Sequence, residues 1–137
     1  MAIRKLDDID VAGKRTLVRV DFNVPLRDGA ISDPTRILAA LPTIRYLIEA
    51  DARVILMSHL GRPKGEVKPE FTLEPVAARL AELLDRDVIF TDDCVGYGVR
   101  KLASEIRDGE LMLLENLRFH KGETSNDASF AERLAAP

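Results

Sequence analysis

Arg19, Asp21 and Asn23 stand at alternate positions of Val18-Arg-Val-Asp-Phe-Asn-Val-Pro25, directly behind a compact apolar run. His59 and Arg62 follow a second such run in Ser58-His-Leu-Gly-Arg-Pro63, and Arg118 follows another in Leu113-Leu-Glu-Asn-Leu-Arg-Phe119. Near-continuous apolar runs read as strands covered on both faces. A parallel sheet gathers the carboxyl ends of such strands along one edge. One crevice would then hold Arg19, His59, Arg62 and Arg118, with Asp21 as the nearby carboxylate. Guanidinium groups grip phosphate or carboxylate oxygens in bidentate fashion, and an imidazole adds a further donor. Asp21 and Asn23 can take hydroxyl groups. The chemistry is that of binding a small polyanion.

Two further residues fit that site. Arg36 falls in the first turn of a predicted helix, where backbone N–H groups also face the crevice. A cation there is misplaced against the helix dipole by a few tenths of a kcal/mol, a cost that a bound anion offsets. Gly61, between His59 and Arg62, lets the backbone turn sharply and approach a ligand closely. Each residue alone also has a plainer reading: a local Arg–Asp pair, a solvated helix Arg, a structural His. The case for a site is their shared position at strand ends.

Other candidates are weaker. Gly96-Tyr-Gly98 imitates part of a dinucleotide fingerprint but lacks the third glycine and is expected inside a helix. Asp92-Asp93 reads as helix capping. His120 and Cys94 have no evident partners and are read as structural, and no metal-ligand spacing is present. There is no Gly-x-x-x-x-Gly-Lys-Ser/Thr loop, no Cys-x-x-Cys, no His-Glu-x-x-His and no serine nucleophile elbow.

The elements that must position these residues alternate along the chain. Strands are expected at Thr16–Val20, Arg53–Met57, Val88–Phe90 and Leu111–Leu114. Between them lie segments with the 3.6-residue period. The first helix opens at Asp33-Pro34, with Asp33 as N-cap and Pro34 at the first helical position. Its apolar positions are Ile37, Leu38, Leu41, Ile44, Leu47 and Ile48, and Pro42 predicts a kink or break. The second helix starts at Thr72 and carries Val76, Leu80, Leu83 and Leu84. The third follows Asp92-Asp93, carries Val95, Val99, Leu102, Ala103 and Ile106, and stops at Gly109. A fourth begins near Asn126. Arg27-Asp-Gly-Ala30 predicts a tight turn or small hairpin, and Gly61–Pro69 a mobile loop. This order argues for an α/β fold, a Rossmann-like parallel sheet with helices on both faces and right-handed crossovers. Four strands are fewer than an open sheet commonly has, so the sheet is expected to be incomplete.

Composition excludes several classes. The 137 residues are 46% hydrophobic, 31% charged and 5% aromatic. Twenty Lys and Arg against 23 Asp and Glu leave a net charge of −3. No global basic field suits nucleic acid or an anionic membrane, and the low aromatic content argues against base-stacking platforms. One cysteine excludes an internal disulfide, and the N-terminus lacks the apolar core of a secretory signal. No run approaches the roughly 18 apolar residues of a membrane helix. A cytoplasmic protein is expected.

Taken together, the three motifs resemble those of phosphoglycerate kinases, as do Ile31-Ser-Asp-Pro-Thr-Arg-Ile37 and the downstream Gly122-Glu, Asn126-Asp and Phe130-Ala. Order and spacing agree over essentially all 137 residues. The resemblance implies a two-domain enzyme that moves a phosphoryl group between 1,3-bisphosphoglycerate and ADP, giving 3-phosphoglycerate and ATP. Residues 1–137 would then be its phosphoglycerate-binding N-terminal domain, not yet complete, and magnesium ADP or ATP would sit on a C-terminal domain beyond this sequence. By motif, Asp21 and Asn23 would hold the glycerate, and His59, Arg62 and Arg118 the non-transferred phosphate. Arg19 would support them, and Arg36 would lie over the carboxyl group and stabilise the phosphoryl group in flight. The full-length enzyme would be a monomer, and these 137 residues alone are expected to be inactive. The alternative is a non-catalytic phosphate- or carboxylate-binding regulatory module with the same fold.

Overall fold

The computed structural model describes residues 9–27, 30–61, 65 and 69–120. Arg62 and the predicted fourth helix lie outside the described residues, as do most of the Gly61–Pro69 loop and the N-terminal eight residues. Strand β1 spans Arg15–Arg19, β4 Arg53–Met57, β5 Ile89–Phe90 and β6 Leu111–Leu113. They form one parallel sheet, as expected from the apolar runs, and its strand order is β1-β4-β6-β5. The predicted hairpin is present as a two-stranded antiparallel pair, β2 (Leu26–Arg27) with β3 (Ala30–Ile31).

Alternation along the central strands places the core on both sides of the sheet. Val54 and Leu56 of β4 and Leu111 and Leu113 of β6 join one cluster with Ile37, Leu41, Ile44 and Leu47 of helix α1 (Thr35–Glu49) and Val76 and Leu80 of α2 (Glu74–Leu84). Ile55 and Met112 point the other way, into a cluster with Val99 and Ala103 of α3 (Tyr97–Glu105). A strand covered on both faces reads as an unbroken apolar run for this reason. β1 departs from the expectation. Its exposure alternates, with Thr16 and Val18 half-buried on the α1 side and Leu17 37% exposed on the other. As an edge strand it is paired only with β4, and its second face is only partly covered, as Leu17 shows.

Five sequence expectations about the helices shift. Pro34 is the residue flanking α1, not its first helical residue, and the Asp33 carboxylate accepts the Thr35 N–H at 3.0 Å. Pro42 does not break α1, which runs through it without interruption. Pro42 is exposed, and so is Leu38, whose carbonyl the missing N–H would have met. The loss falls on the solvent face, where water can serve that carbonyl. Leu38 is 46% exposed and so leaves the predicted apolar stripe. α3 is shorter than predicted: Gly96 flanks its start at φ +112°, and Asp92-Asp93 lie ahead of it rather than capping it. α2 likewise begins at Glu74, after a 3-10 turn at Pro69–Phe71.

Candidate functional site

The carboxyl ends of β1, β4 and β6 release three segments: Val20–Pro25, Ser58–Gly61 and Leu114–His120. Parallel strands end on the same edge, so all three emerge together. Their backbones are tied by polar side chains buried between them. Ser58, fully buried, accepts the Phe22 N–H at 2.9 Å, and its carbonyl accepts the Leu117 N–H at 3.0 Å. Asn116, 1% exposed, donates through Nδ2 to Leu60 O at 2.8 Å and Phe71 O at 3.0 Å, while its Oδ1 accepts the Arg118 N–H at 2.9 Å. Glu115 carries a buried carboxylate that accepts N–H groups of Leu73 and Asn116 and the Thr72 hydroxyl at 2.6–2.9 Å. A buried charge is tolerated when its oxygens are so fully engaged.

Gly61 completes this floor. Its φ is +62°, and a Cβ there would overlap the Phe71 ring. Only glycine turns the chain at this point without strain. The Gly61 N–H donates to Asn23 Oδ1 at 2.9 Å, which joins the first segment to the second.

The mouth is looser. Arg36 Nη1 donates to the Asn23 carbonyl at 2.6 Å and reaches Asp21 Oδ1 at 3.4 Å. Both side chains of that ion pair are more than half exposed, at 51% and 62%. An exposed pair of this kind contributes about 0–1 kcal/mol, so an anion can draw the guanidinium away at little cost. Asp21 Oδ1 also accepts the Asn23 N–H, closing a short turn. Asn23, Val24, Pro25, Asp33, Thr35 and Arg36 line an open cavity of about 550 Å³. Arg19, Asp21 and Arg36 border a neighbouring one of about 310 Å³. Beside the mouth, the hydroxyl and N–H of Thr35 hold the Asp33 carboxyl below its ordinary value, with the Arg36 charge acting in the same sense.

The predicted site residues therefore fall into groups. Asp21, Asn23 and Arg36 are in direct contact, and Arg19 shares a cavity with two of them. The alternation argument for the first three residues holds only in part, because β1 ends at Arg19 and Asp21 and Asn23 lie on the loop beyond. His59 and Arg118, both half-buried, sit on adjoining strand-end segments joined through Ser58 and Asn116. Sequence reading assigned no role to Ser58, Glu115 or Asn116. The available signal was polar residues set directly against apolar runs, since a polar group buried at a strand end must find partners. It also missed that Asp93 and His120 are in contact, with Cys94 beside them, which overturns the reading that Cys94 and His120 have no partners.

Arginines gathered at the carboxyl edge of a parallel sheet, beside a helix N-terminus, make this an α/β domain whose crevice has the chemistry suited to a phosphate or a carboxylate. The comparisons narrow that class. Residues 6–137 match the family model described as phosphoglycerate kinase. Over 139 aligned residues the chain is 58% identical to the phosphoglycerate kinase of Anaeromyxobacter sp. strain K, covering 99% of this chain and 35% of that protein. The Moorella thermoacetica phosphoglycerate kinase is 57% identical over 136 residues, with the same two coverages. The crystal structure of the Pyrococcus horikoshii phosphoglycerate kinase superposes with a TM-score of 0.86 at 36% identity, covering 96% of this chain and 34% of that one. The chain belongs to the phosphoglycerate kinase family, and it spans about a third of the length of the relatives it matches.

Proposed function

We propose that this chain is the phosphoglycerate-binding part of a phosphoglycerate kinase, serving reversible phosphoryl transfer between 1,3-bisphosphoglycerate and ADP in glycolysis, in the cytoplasm. The observation that carries the reading is the meeting of Asp21, Asn23 and Arg36 on the edge where His59 and Arg118 also emerge. Asp21 and Asn23 take the glycerate hydroxyl, and His59, Arg62 and Arg118 take the phosphate that is not transferred. Arg19 adds positive potential from the end of β1. Family membership disfavours the alternative of a purely regulatory module.

Arg36 has the catalytic role. In the direction of ATP use, the acceptor is a carboxylate, which is already ionised and needs no general base. The difficulty is bringing it against a terminal phosphoryl group of like charge. Phosphoryl transfer then depends on position and on spreading the equatorial negative charge. An exposed guanidinium that exchanges a weak carboxylate partner for substrate supplies that charge. Magnesium ADP or ATP is expected on the part of the family's length beyond this sequence.

The reading is tested on the full-length protein by calorimetric titration with 3-phosphoglycerate and by a coupled assay of ATP formation. Micromolar to millimolar binding that weakens at least tenfold in Arg62→Ala or Arg118→Ala is the expected result. Unchanged affinity in both variants would place the phosphate elsewhere.

A further inference from the structure

Asp93, Cys94 and His120 form a second cluster, which phosphoglycerate binding does not use. Asp93 and Cys94 lie in the loop leaving β5, and His120 follows the 3-10 turn Leu117–Phe119 behind β6. One ligating atom from each residue lies within 4.8 Å of the other two. His120 Nε2 is 2.7 Å from Asp93 Oδ1, and the Cys94 N–H donates to the same oxygen at 2.6 Å. Exposure is graded across the cluster: Cys94 is fully buried, while the His120 and Asp93 side chains are 26% and 46% exposed.

We propose that this cluster is a binding site for a borderline-soft divalent transition metal, with zinc as the best fit. Cys94 Sγ, one imidazole nitrogen of His120 and one oxygen of Asp93 are the ligands, and water takes the fourth position. The donor set selects the metal: thiolate with imidazole suits zinc or cobalt, whereas magnesium and calcium prefer all-oxygen sites. Zinc–ligand bonds of about 2.0–2.3 Å imply tetrahedral ligand–ligand edges of roughly 3.3–3.7 Å. The His120–Asp93 distance of 2.7 Å lies below that range, and the other pairs lie within 4.8 Å. The His120–Asp93 contact must open by roughly 0.6 Å to reach its lower end. Asp93 has a second oxygen for the metal, so Oδ1 can keep the Cys94 N–H. The exposed His120 and Asp93 side leaves a path for the ion and for the fourth ligand, and the buried thiol keeps the opposite side dry. Metal binding would fasten the β5–α3 loop to the segment that carries Arg118.

Cobalt(II) titration of the full-length protein tests this, read by thiolate-to-cobalt charge-transfer absorption and tetrahedral d–d bands, with zinc as competitor. One equivalent should give both signatures, and zinc should abolish them. Cys94→Ser should remove the charge-transfer band. His120→Gln and Asp93→Asn, at partly exposed positions that keep the test valid if the Cys94 variant fails to fold, should each weaken cobalt binding at least tenfold. Absence of the band in the unmodified protein would overturn the proposal. So would a band that survives Cys94→Ser, or cobalt affinity unmoved by both other substitutions.

Discussion

Arg36 and Asp21 meet at 3.4 Å with more than half of each side chain in solvent, whereas Asn116, on the same edge of the sheet, is 1% exposed and bonded to three separate backbone segments. The two regions are polar for opposite reasons. At the floor, Ser58, Glu115 and Asn116 are committed to the protein, and their bonds fix where the three strand-end loops lie. At the mouth, the charges are only lightly committed to one another. A residue that must hold a loop loses a great deal when its partners are removed, because buried groups left unpaired cost about 1–3 kcal/mol each. A residue that must meet a ligand cannot be so committed, since the ligand would have to break those bonds.

Substitutions should separate the two regions cleanly. Arg36→Ala in the full-length protein is expected to lower kcat by about 10²–10³-fold, in line with loss of one transition-state donor, while stability in urea moves by less than about 0.5 kcal/mol. A loss of stability larger than the loss of activity would erase the contrast. Asn116→Ala is expected to do the reverse. It strands the Leu60 and Phe71 carbonyls and the Arg118 N–H and should cost about 3–4 kcal/mol in equilibrium unfolding. Gly61→Ala comes next, at about 2–3 kcal/mol, from a positive φ combined with overlap against Phe71. It should also weaken 3-phosphoglycerate binding by displacing the N–H that holds Asn23.

The smallest effect belongs to Asp33. Its carboxyl titrates below the ordinary 3.8 because Thr35 donates to its charged form. A group whose folded-state pKa is depressed contributes stability that is present above the unfolded value and fades as pH falls through the folded one. Asp33→Asn should therefore lower stability slightly near neutrality and leave it unchanged well below about pH 4, where the wild-type carboxyl is protonated and its contribution already lost. An equal loss at acid pH, where the carboxyl is protonated, would show that the side chain does more than cap the start of α1.

Much of this was legible in the residues. Four apolar runs separated by helix-period segments mark the strands to within a residue or so, and β4 was placed at its observed bounds, Arg53–Met57. The cations at the strand ends were legible because carboxyl ends of parallel strands share an edge. Boundaries that depend on local competition were less so. Asp33 satisfies the first N–H of α1 from one residue ahead of the flanking Pro34, and Pro42 is absorbed because its missing bond faces water. The exposed face of β1 was also hidden. An edge strand with Val18 and Leu17 side by side has the same composition as a covered one.

By itself the sequence determined which residues are apolar, at what period, and which polar groups follow the strands, and so the α/β class and a sheet edge rich in cations. Only the tertiary structure decided which of those groups touch. The sheet runs β1-β4-β6-β5, so β4 lies between β1 and β6, far from both in sequence, and β5 sits outside a strand that follows it in the chain. That order brings Asn23 to Gly61, Asn116 to Leu60, and His120 to Asp93. Periodicity assigns a side chain to a face of its own element, but the neighbour it meets there is set by strand order, which arises from packing of the whole core.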